Sequence, residues 1–99
     1  MITVRETEEF EKWMKGLKEK KTRLIINTRI RRISTGNFGD AKPVGGSVCE
    51  LVIDYGPGYR VYFTRRGQEI VILLCGGDKS TQQADINTAK KIASNLEEA

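Results

Sequence analysis

The sequence contains no histidine, and among its 99 residues it has only two cysteines and two prolines. Cys49 and Cys75 do not form a Cys-x-x-Cys pair, and each lies in a run of Val, Leu and Ile that is typical of a strand. Zinc and most other transition metals therefore lack their usual ligands, so we expect no metal and no cofactor. Reduced thiols that pack as small hydrophobic side chains are the simpler interpretation of both cysteines.

Long hydrophobic runs are also absent from the sequence. The longest, residues 70–75, is far shorter than the roughly 20 residues that a membrane-spanning helix needs. The N-terminal stretch carries charges where a signal peptide would be apolar. We therefore expect a cytoplasmic protein without membrane contact. The 38% hydrophobic and 30% charged residues fit one globular domain over residues 1–99.

Positive charge is in excess, with 17 Lys and Arg against 13 Asp and Glu and a formal net charge of +4. The basic residues gather in residues 18–23, 29–32 and 64–67, whereas the acidic residues concentrate near the two ends. Clustered positive charge favours an anionic partner such as nucleic acid. Many small proteins are equally basic, so a solvated basic face is the alternative for any single arginine.

Hydrophobic periodicity predicts a short N-terminal strand and three helices. Residues 2–5 alternate apolar and polar, and Thr7 is suited to cap the helix that follows. A second helix is predicted over residues 22–34, and a third follows a capping-box pattern formed by Ser80 and Gln83. The apolar stripes of these helices consist of Phe10, Trp13, Met14 and Leu17, then Ile26, Ile30 and Ile33, then Ile86, Ala89, Ile92, Ala93 and Leu96.

The segment between the second and third helices predicts an irregular loop followed by a sheet. Residues 34–46 hold four of the ten glycines and are expected to form the loop. Strands follow over 47–55, 59–65 and 69–75, and their short connections predict an antiparallel meander whose last strand is covered on both faces. The result is an α+β fold of order β-α-α-β-β-β-α with helices packed on one face of the sheet. Its core is expected to include Trp13, Ile30, Val61, Leu73 and Ile92.

Alternation along the first two meander strands decides which of their side chains share a face. Glu50 falls on the polar side of the first strand, and Arg60 and Tyr62 fall on the polar side of the second. Because a slip of one residue would expose the core side chains, the hairpin must join like faces. We therefore expect these three residues to share the face away from the helices, near Lys79. Glu50 and Arg60 could also be a surface ion pair of little energetic value.

The stretch GGDKSTQQ, residues 76–83, ends the most hydrophobic strand and precedes the last helix. Its glycines could expose backbone N–H groups, and the following helix presents its positive end. An anion site at Lys79 is the functional interpretation of this corner. A polar turn before a helix cap is the alternative.

Three segments of the chain resemble the RelE/ParE superfamily of addiction-module toxins. They are GNFGDAKPVGG, VCELVIDYGPGYRVYF and ILLCGGDKSTQQADINTAKKIA, and the similarity covers nearly the whole chain from FEKWMKGLK onwards. Within the superfamily, the sequence is similar to the addiction-module killer proteins, a subgroup related to HigB. The resemblance implies a RelE-like toxin of a type II toxin–antitoxin module. It also implies a cognate antitoxin, expected to be a helix-turn-helix protein encoded next to it, and contact with DNA only through that complex.

Many members of the superfamily cleave mRNA on the ribosome, whereas the ParE branch poisons DNA gyrase. In cleaving members, a strand arginine in a YRV context and basic or phenolic groups on or after the last strand handle the scissile phosphate. An acid on the preceding strand acts as the base in some relatives. The resemblance thus implies a metal-independent mRNA endoribonuclease that acts on translating ribosomes and inhibits translation, with Arg60, Lys79 and Glu50 as catalytic residues. The residues expected to contact RNA or the ribosome are Arg29, Arg31, Arg32, Lys42, Tyr62, Arg65 and Arg66.

One departure from the superfamily leaves other functions open. The sequence lacks the histidines and the C-terminal tyrosine that several active relatives use for acid–base chemistry. A non-enzymatic, ParE-like inhibitor of DNA gyrase is one alternative, and an inactive toxin-derived partner of an antitoxin repressor is another. The grouping of Glu50, Arg60 and Lys79 favours the endoribonuclease, because a gyrase inhibitor needs no phosphate-handling cluster.

Overall fold

A computed structural model describes the backbone of residues 1–98 and the side chains of residues 1–96. It confirms the predicted α+β fold and adds one strand to the predicted order. None of the helices described is both long enough and apolar enough to pass through a membrane. The elements are β1 (Thr3–Glu6), α1 (Glu8–Gly16), α2 (Lys20–Ser34), β2 (Ala41–Gly45), β3 (Val48–Ile53), β4 (Tyr59–Arg66), β5 (Ile70–Asp78), a short 3-10 helix (Lys79–Thr81) and α3 (Gln82–Glu98).

The strands form one mixed sheet in the order β1-β5-β4-β3-β2. β1 pairs with β5 in parallel and the other neighbours are antiparallel, so the predicted β3-β4-β5 meander is confirmed. β5 lies between β1 and β4, as its two-sided apolar pattern predicted. Glu50 pairs with Tyr62 and Val52 pairs with Arg60, which puts Glu50, Arg60 and Tyr62 on one face of the sheet as expected.

The predicted loop over residues 34–46 contains an edge strand, β2, which is a correction to the sequence-based prediction. Ala41 pairs with Leu51 and Lys42 with Glu50, and the register shifts between Pro43 and Gly45. Proline and glycine are poor strand formers, so they conceal β2 in the sequence. An edge position accommodates the proline, because one side of an edge strand needs no hydrogen-bond partner.

The helices pack on both faces of the sheet, so the expectation that they share one face is wrong. α1 and α2 cover the first face, where Phe10 and Ile26 pack with Phe63 in the larger cluster. α3 covers the second face, where Ala89 packs in a cluster with Tyr62. Each fully buried side chain of Phe or Ile size contributes roughly 1.5–3 kcal/mol. Because the second cluster contains Tyr62, it lies on the face of the sheet that carries Glu50 and Arg60.

A bulge in β5 places an additional apolar side chain on the face of the sheet that α3 covers. Tyr62 pairs with Cys75 and Phe63 with Leu73, so Leu74 is left without a partner on β4. Leu74 and its neighbour Cys75 both belong to the α3 cluster, whereas strict alternation would put them on opposite faces. The sequence pattern alone does not reveal this bulge, which is why α3 was expected beside the other helices.

Local signals at the helix ends are partly confirmed. The hydroxyl of Thr7 accepts a hydrogen bond from the backbone N–H of Phe10 at 3.1 Å, as an N-cap should. The predicted capping box at Ser80 and Gln83 is wrong, because α3 begins at Gln82 and the cap before it is Asp78. The carboxylate of Asp78 accepts from the backbone N–H of Ser80 at 2.8 Å.

The predicted core residues differ in how deeply they are buried. Val61 and Leu73 are fully buried, whereas Trp13, Ile30 and Ile92 are partly buried against the two clusters. Both cysteines are free thiols, Cys75 buried and Cys49 half-buried. Burial raises the pKa of Cys49, and it raises that of Cys75 to about 12, so neither thiol ionises readily near neutral pH.

Candidate functional site

Arg60 and Lys79 line one cavity of about 430 Å³ at the end of the sheet where β4 begins and β5 ends. A Cβ atom at Gly58 would lie 2.7 Å from Nη1 of Arg60 and 3.5 Å from Cβ of Lys79, so both residues approach this glycine. Two cations separated in sequence therefore meet at one cavity. The remaining residues that line it are Asp40, Val52, Ile53, Asp54, Gly56, Pro57 and Gly58.

The guanidinium of Arg60 is held by the turn and keeps unused donors. Nη1 donates a hydrogen bond to the carbonyl oxygen of Gly58 at 2.5 Å. Nε is buried and has no hydrogen-bond partner among the described residues. A buried donor without a partner costs free energy, so Nε marks a strained polar environment around this guanidinium. A half-buried arginine with free donors beside a cavity suits the binding of phosphate oxygens.

Lys79 is exposed on the 3-10 helix that follows β5. No ion pair joins its ammonium to any residue in the described part of the chain. Asp78, the preceding residue, fixes this turn through its bonds to Ser80, which hold the pKa of the Asp78 carboxyl below its ordinary value, and Arg60 adds to the effect. The cation of Lys79 is thus available to a ligand in the cavity.

The cavity is polarised across the sheet. Its cations come from β4 and the turn after β5, whereas Asp40 and Asp54 come from the β2–β3 side. Both aspartates are exposed, and the backbone carbonyl of Asp40 accepts from the N–H of Val52 at 2.9 Å. Sequence reasoning did not select these carboxylates, although the alternation of β3 puts Asp54 on the same side as Glu50 and one step before the turn.

Glu50 lies in a separate, buried network under the start of α3. Its side chain is fully buried, and Oε2 accepts hydrogen bonds from Tyr62 Oη at 3.2 Å and from Gln82 Nε2 at 2.8 Å. Oε1 has no hydrogen bond within the described structure, and the exposed Lys42 ammonium lies 3.8 Å from it. Glu50 does not line the cavity that Arg60 and Lys79 share.

Tyr62 shares the environment of Glu50. Burial raises the pKa of the Tyr62 phenol, and the charge of Glu50 and the hydrogen bond to it raise that pKa further. The phenol is therefore a neutral donor to the carboxylate at physiological pH. The structure thus divides the predicted cluster into an Arg60–Lys79 cavity and a Glu50–Tyr62 network. The assignment of Glu50 as catalytic base stays a prediction.

The two glycines at the end of β5 admit side chains from both faces of the sheet. Gly76 and Gly77 remain in the strand and pair with Val61 and Arg60, so they do not form the open turn that the sequence suggested. A Cβ at Gly76 would clash with the indole of Trp13, and one at Gly77 would clash with the carboxylate of Asp85. We therefore attribute these glycines to close packing, and the predicted nest of exposed N–H groups is wrong.

The arginines expected to contact RNA or the ribosome differ in their surroundings. Arg29 is half-buried and donates to the carbonyl oxygen of Val52 at 2.9 Å, which ties α2 to β3. The guanidinium of Arg65 lies 4.7 Å from the ring centre of Phe38, a cation–π contact. The rise of about 3.3 Å per residue puts Arg66 roughly 20 Å from Arg60 along β4. The members of this set that are exposed are Arg31, Arg32, Lys42, Arg65 and Arg66.

The fold and the site define a small α+β protein of RelE-like topology. The family of phage-derived proteins described as Gp49-like (DUF891) matches residues 10–97 of the chain. The chain therefore belongs to this Gp49-like family, a RelE-like family associated with toxin–antitoxin systems. It is also 48% identical over 95 residues to an uncharacterized protein of Haemophilus influenzae, and the match covers 96% of each chain.

Proposed function

We propose that the protein is the toxin of a type II toxin–antitoxin module and that it is a metal-independent mRNA endoribonuclease. In this proposal it belongs to the HigB-related subgroup and cleaves mRNA on translating ribosomes in the cytoplasm. The convergence of Arg60 and Lys79 on one cavity is the observation that carries the proposal. The Gp49-like family supports the toxin–antitoxin context.

The reaction needs charge stabilisation more than any other contribution from the protein. The ribose 2′-hydroxyl attacks the adjacent phosphorus, its proton passes to a base, the 5′-oxygen leaves with a proton, and a 2′,3′-cyclic phosphate remains. Arg60 would bind two nonbridging oxygens as negative charge develops on them, since its planar guanidinium offers paired donors. Lys79 would neutralise or protonate the leaving 5′-oxygen.

The acid–base contribution is the smaller part of this mechanism. The chain has no histidine, and the buried Glu50, predicted as the base, would reach the 2′-hydroxyl only if Gln82 released it. Orientation of the mRNA by the ribosome would then supply a larger share of the rate, because a well-placed nucleophile gains several orders of magnitude. The exposed Arg31 and Arg32 on α2 would contribute affinity for RNA phosphates.

The proposed partners follow from the same assignment. The toxin would bind mRNA and the ribosome, and a cognate antitoxin would inhibit it. We expect this antitoxin to be a helix-turn-helix protein encoded by the adjacent gene, and DNA to be bound only by the toxin–antitoxin complex. A pull-down of the neighbouring gene product tests that part of the proposal separately from RNA cleavage.

Induction of the protein in growing cells, followed by mapping of mRNA 5′ ends, tests the proposed activity. We expect new 5′ ends inside coding regions within minutes and none after induction of the Arg60→Ala variant. Arg5→Ala is the matched control, since it removes an exposed arginine from β1, outside the cavity. Intact mRNA with accumulating gyrase–DNA cleavage complexes would favour a gyrase inhibitor instead. Normal growth with intact mRNA would favour an inactive partner of a repressor.

A further inference from the structure

We propose that Glu50 is a positioning residue that holds Lys79 at the cavity by anchoring the first residue of α3. This inference rests on the proposed RNA cleavage, because it assigns how the cleavage site is kept in place. Glu50 belongs to β3, and Lys79 belongs to the 3-10 helix before α3. The 3-10 helix continues from β5, whose last residue, Asp78, pairs with Tyr59 of β4. The side chain of Gln82 adds a bond directly to β3.

A continuous chain of hydrogen bonds joins the two residues. The Oε2 atom of Glu50 accepts from Nε2 of Gln82 at 2.8 Å. The backbone N–H of Gln82 in turn donates to the carbonyl oxygen of Lys79. Gln82 is therefore held by its side chain to β3 and by its backbone to the residue that carries the ammonium. Together with the bond of Asp78 to Ser80, this network restrains the turn from which Lys79 reaches the cavity.

The burial of Glu50 supports a positioning role. A fully buried carboxylate is costly, and an apolar side chain of similar size would pack there without that cost. A carboxylate, however, specifies the places of its donors, here Tyr62 Oη and Gln82 Nε2. The network thus selects one position for the start of α3.

The same geometry separates positioning from base catalysis. A general base must lie within hydrogen-bond reach of the hydroxyl that it deprotonates. Glu50 is not among the residues that line the cavity, and its Oε2 is occupied by two donors. Glu50→Gln distinguishes the two roles, because an amide keeps an acceptor for Gln82 but cannot take a proton. A positioning residue tolerates this change, whereas a base does not.

The first experiment measures single-turnover cleavage of ribosome-bound mRNA by Glu50→Gln. We expect a rate within about 10-fold of the parent and an unchanged pH profile, since loss of a general base would cost about 10²–10⁴-fold. Gln82→Leu should lower the rate about 10- to 100-fold with little change in ribosome affinity, because misplacement of a catalytic group by about 1 Å costs that much. Gln83→Leu is the matched control, because the Gln83 side chain is exposed and, among the described residues, bonds only that of Asn87.

A double-mutant cycle between Gln82→Leu and Lys79→Ala measures whether Gln82 affects the cleavage rate through Lys79. If Gln82 acts through Lys79, Gln82→Leu has little further effect once Lys79 is absent. Rates that multiply independently, or a Glu50→Gln variant as slow as a base deletion, would overturn the inference. Amide hydrogen exchange at residues 79–82 is the readout that needs no activity, and it should accelerate in Gln82→Leu but not in Gln83→Leu. A parent protein that cleaves no RNA refutes the proposed function. The exchange rates would still show whether the side chain of Gln82 holds residues 79–82 in place.

Discussion

Replacement of Gly76 by alanine tests why β5 ends in two glycines. Gly76 has no positive φ, so the backbone itself accepts a side chain at this position. A Cβ there would clash with the indole of Trp13. That indole is confined, because its ring centre lies 5.8 Å from that of Phe10 and 6.2 Å from that of Tyr59. The ring cannot retreat without losing one of these contacts.

The expected cost of Gly76→Ala follows from overpacking of a close contact. Such insertions destabilise by about 1–3 kcal/mol. For a domain of this size each kcal/mol lowers Tm by roughly 4–8 °C, so we expect a loss of at least about 4 °C. Thermal unfolding followed by circular dichroism measures it directly. Trp13→Leu should relieve part of this loss in the Gly76→Ala background, because the clashing ring is then absent.

Gly16→Ala is the matched control for this experiment. Gly16 is the last residue of α1, and no atom of the described residues lies within 4 Å of where its Cβ would be. Alanine at a helical glycine is expected to be neutral or to stabilise by about 0.5–1 kcal/mol. If Gly76→Ala unfolds at the same temperature as the parent, close packing by Trp13 does not explain why glycine occupies position 76. The anion-site interpretation of the two glycines would then have to be reconsidered.

Three further predictions concern a cap, a carboxylate and the second cation. Thr7→Ala should destabilise by about 1–2 kcal/mol in urea unfolding, since its hydroxyl caps α1 and donates to Leu74 O, whereas Thr28→Ala should have little effect. Because the pKa of Asp78 is lowered in the folded protein, its carboxylate stabilises the fold at pH values above its ordinary pKa of 3.8. This contribution is lost as the pH falls through the folded pKa, so the free energy of unfolding of Asp78→Asn should fall less steeply with acidification. Lys79→Ala should slow ribosome-dependent cleavage, and Lys79→Arg should be milder if charge alone matters; equal rates for Lys79→Ala and the parent would exclude a role in the reaction.

Side-chain alternation along β3 and β4 could be predicted from the sequence. Alternation has a fixed period of two, so Glu50, Arg60 and Tyr62 are found on one face in the predicted register. The cap at Thr7 is equally local. Family resemblance gave a RelE-like toxin–antitoxin family, which the Gp49-like match supports at that level. The closer relationship to HigB stays a prediction.

Features that depend on tertiary packing could not be predicted in this way. The unpaired Leu74 moves apolar area to the face where α3 packs, and no pattern in the sequence signals such a bulge. That helix then buries Glu50, which alternation alone had left on an open polar face. Asp40 joins the cavity from a segment expected to be a loop. Gly76 and Gly77 are drawn into the ladder by β4, because pairing overrides their turn preference.

The central claim is that Arg60 stabilises charge in RNA cleavage at the cavity that it shares with Lys79. Single-turnover cleavage of mRNA on purified ribosomes, with the parent, Arg60→Ala, Arg60→Lys and Arg5→Ala compared, tests it most directly. Circular dichroism and antitoxin binding must match the parent for each variant. We expect Arg60→Ala to be about 10²–10³-fold slower, Arg60→Lys to recover only part of the rate and Arg5→Ala to cleave like the parent. A folded Arg60→Ala variant that cleaves as fast as the parent would contradict the claim.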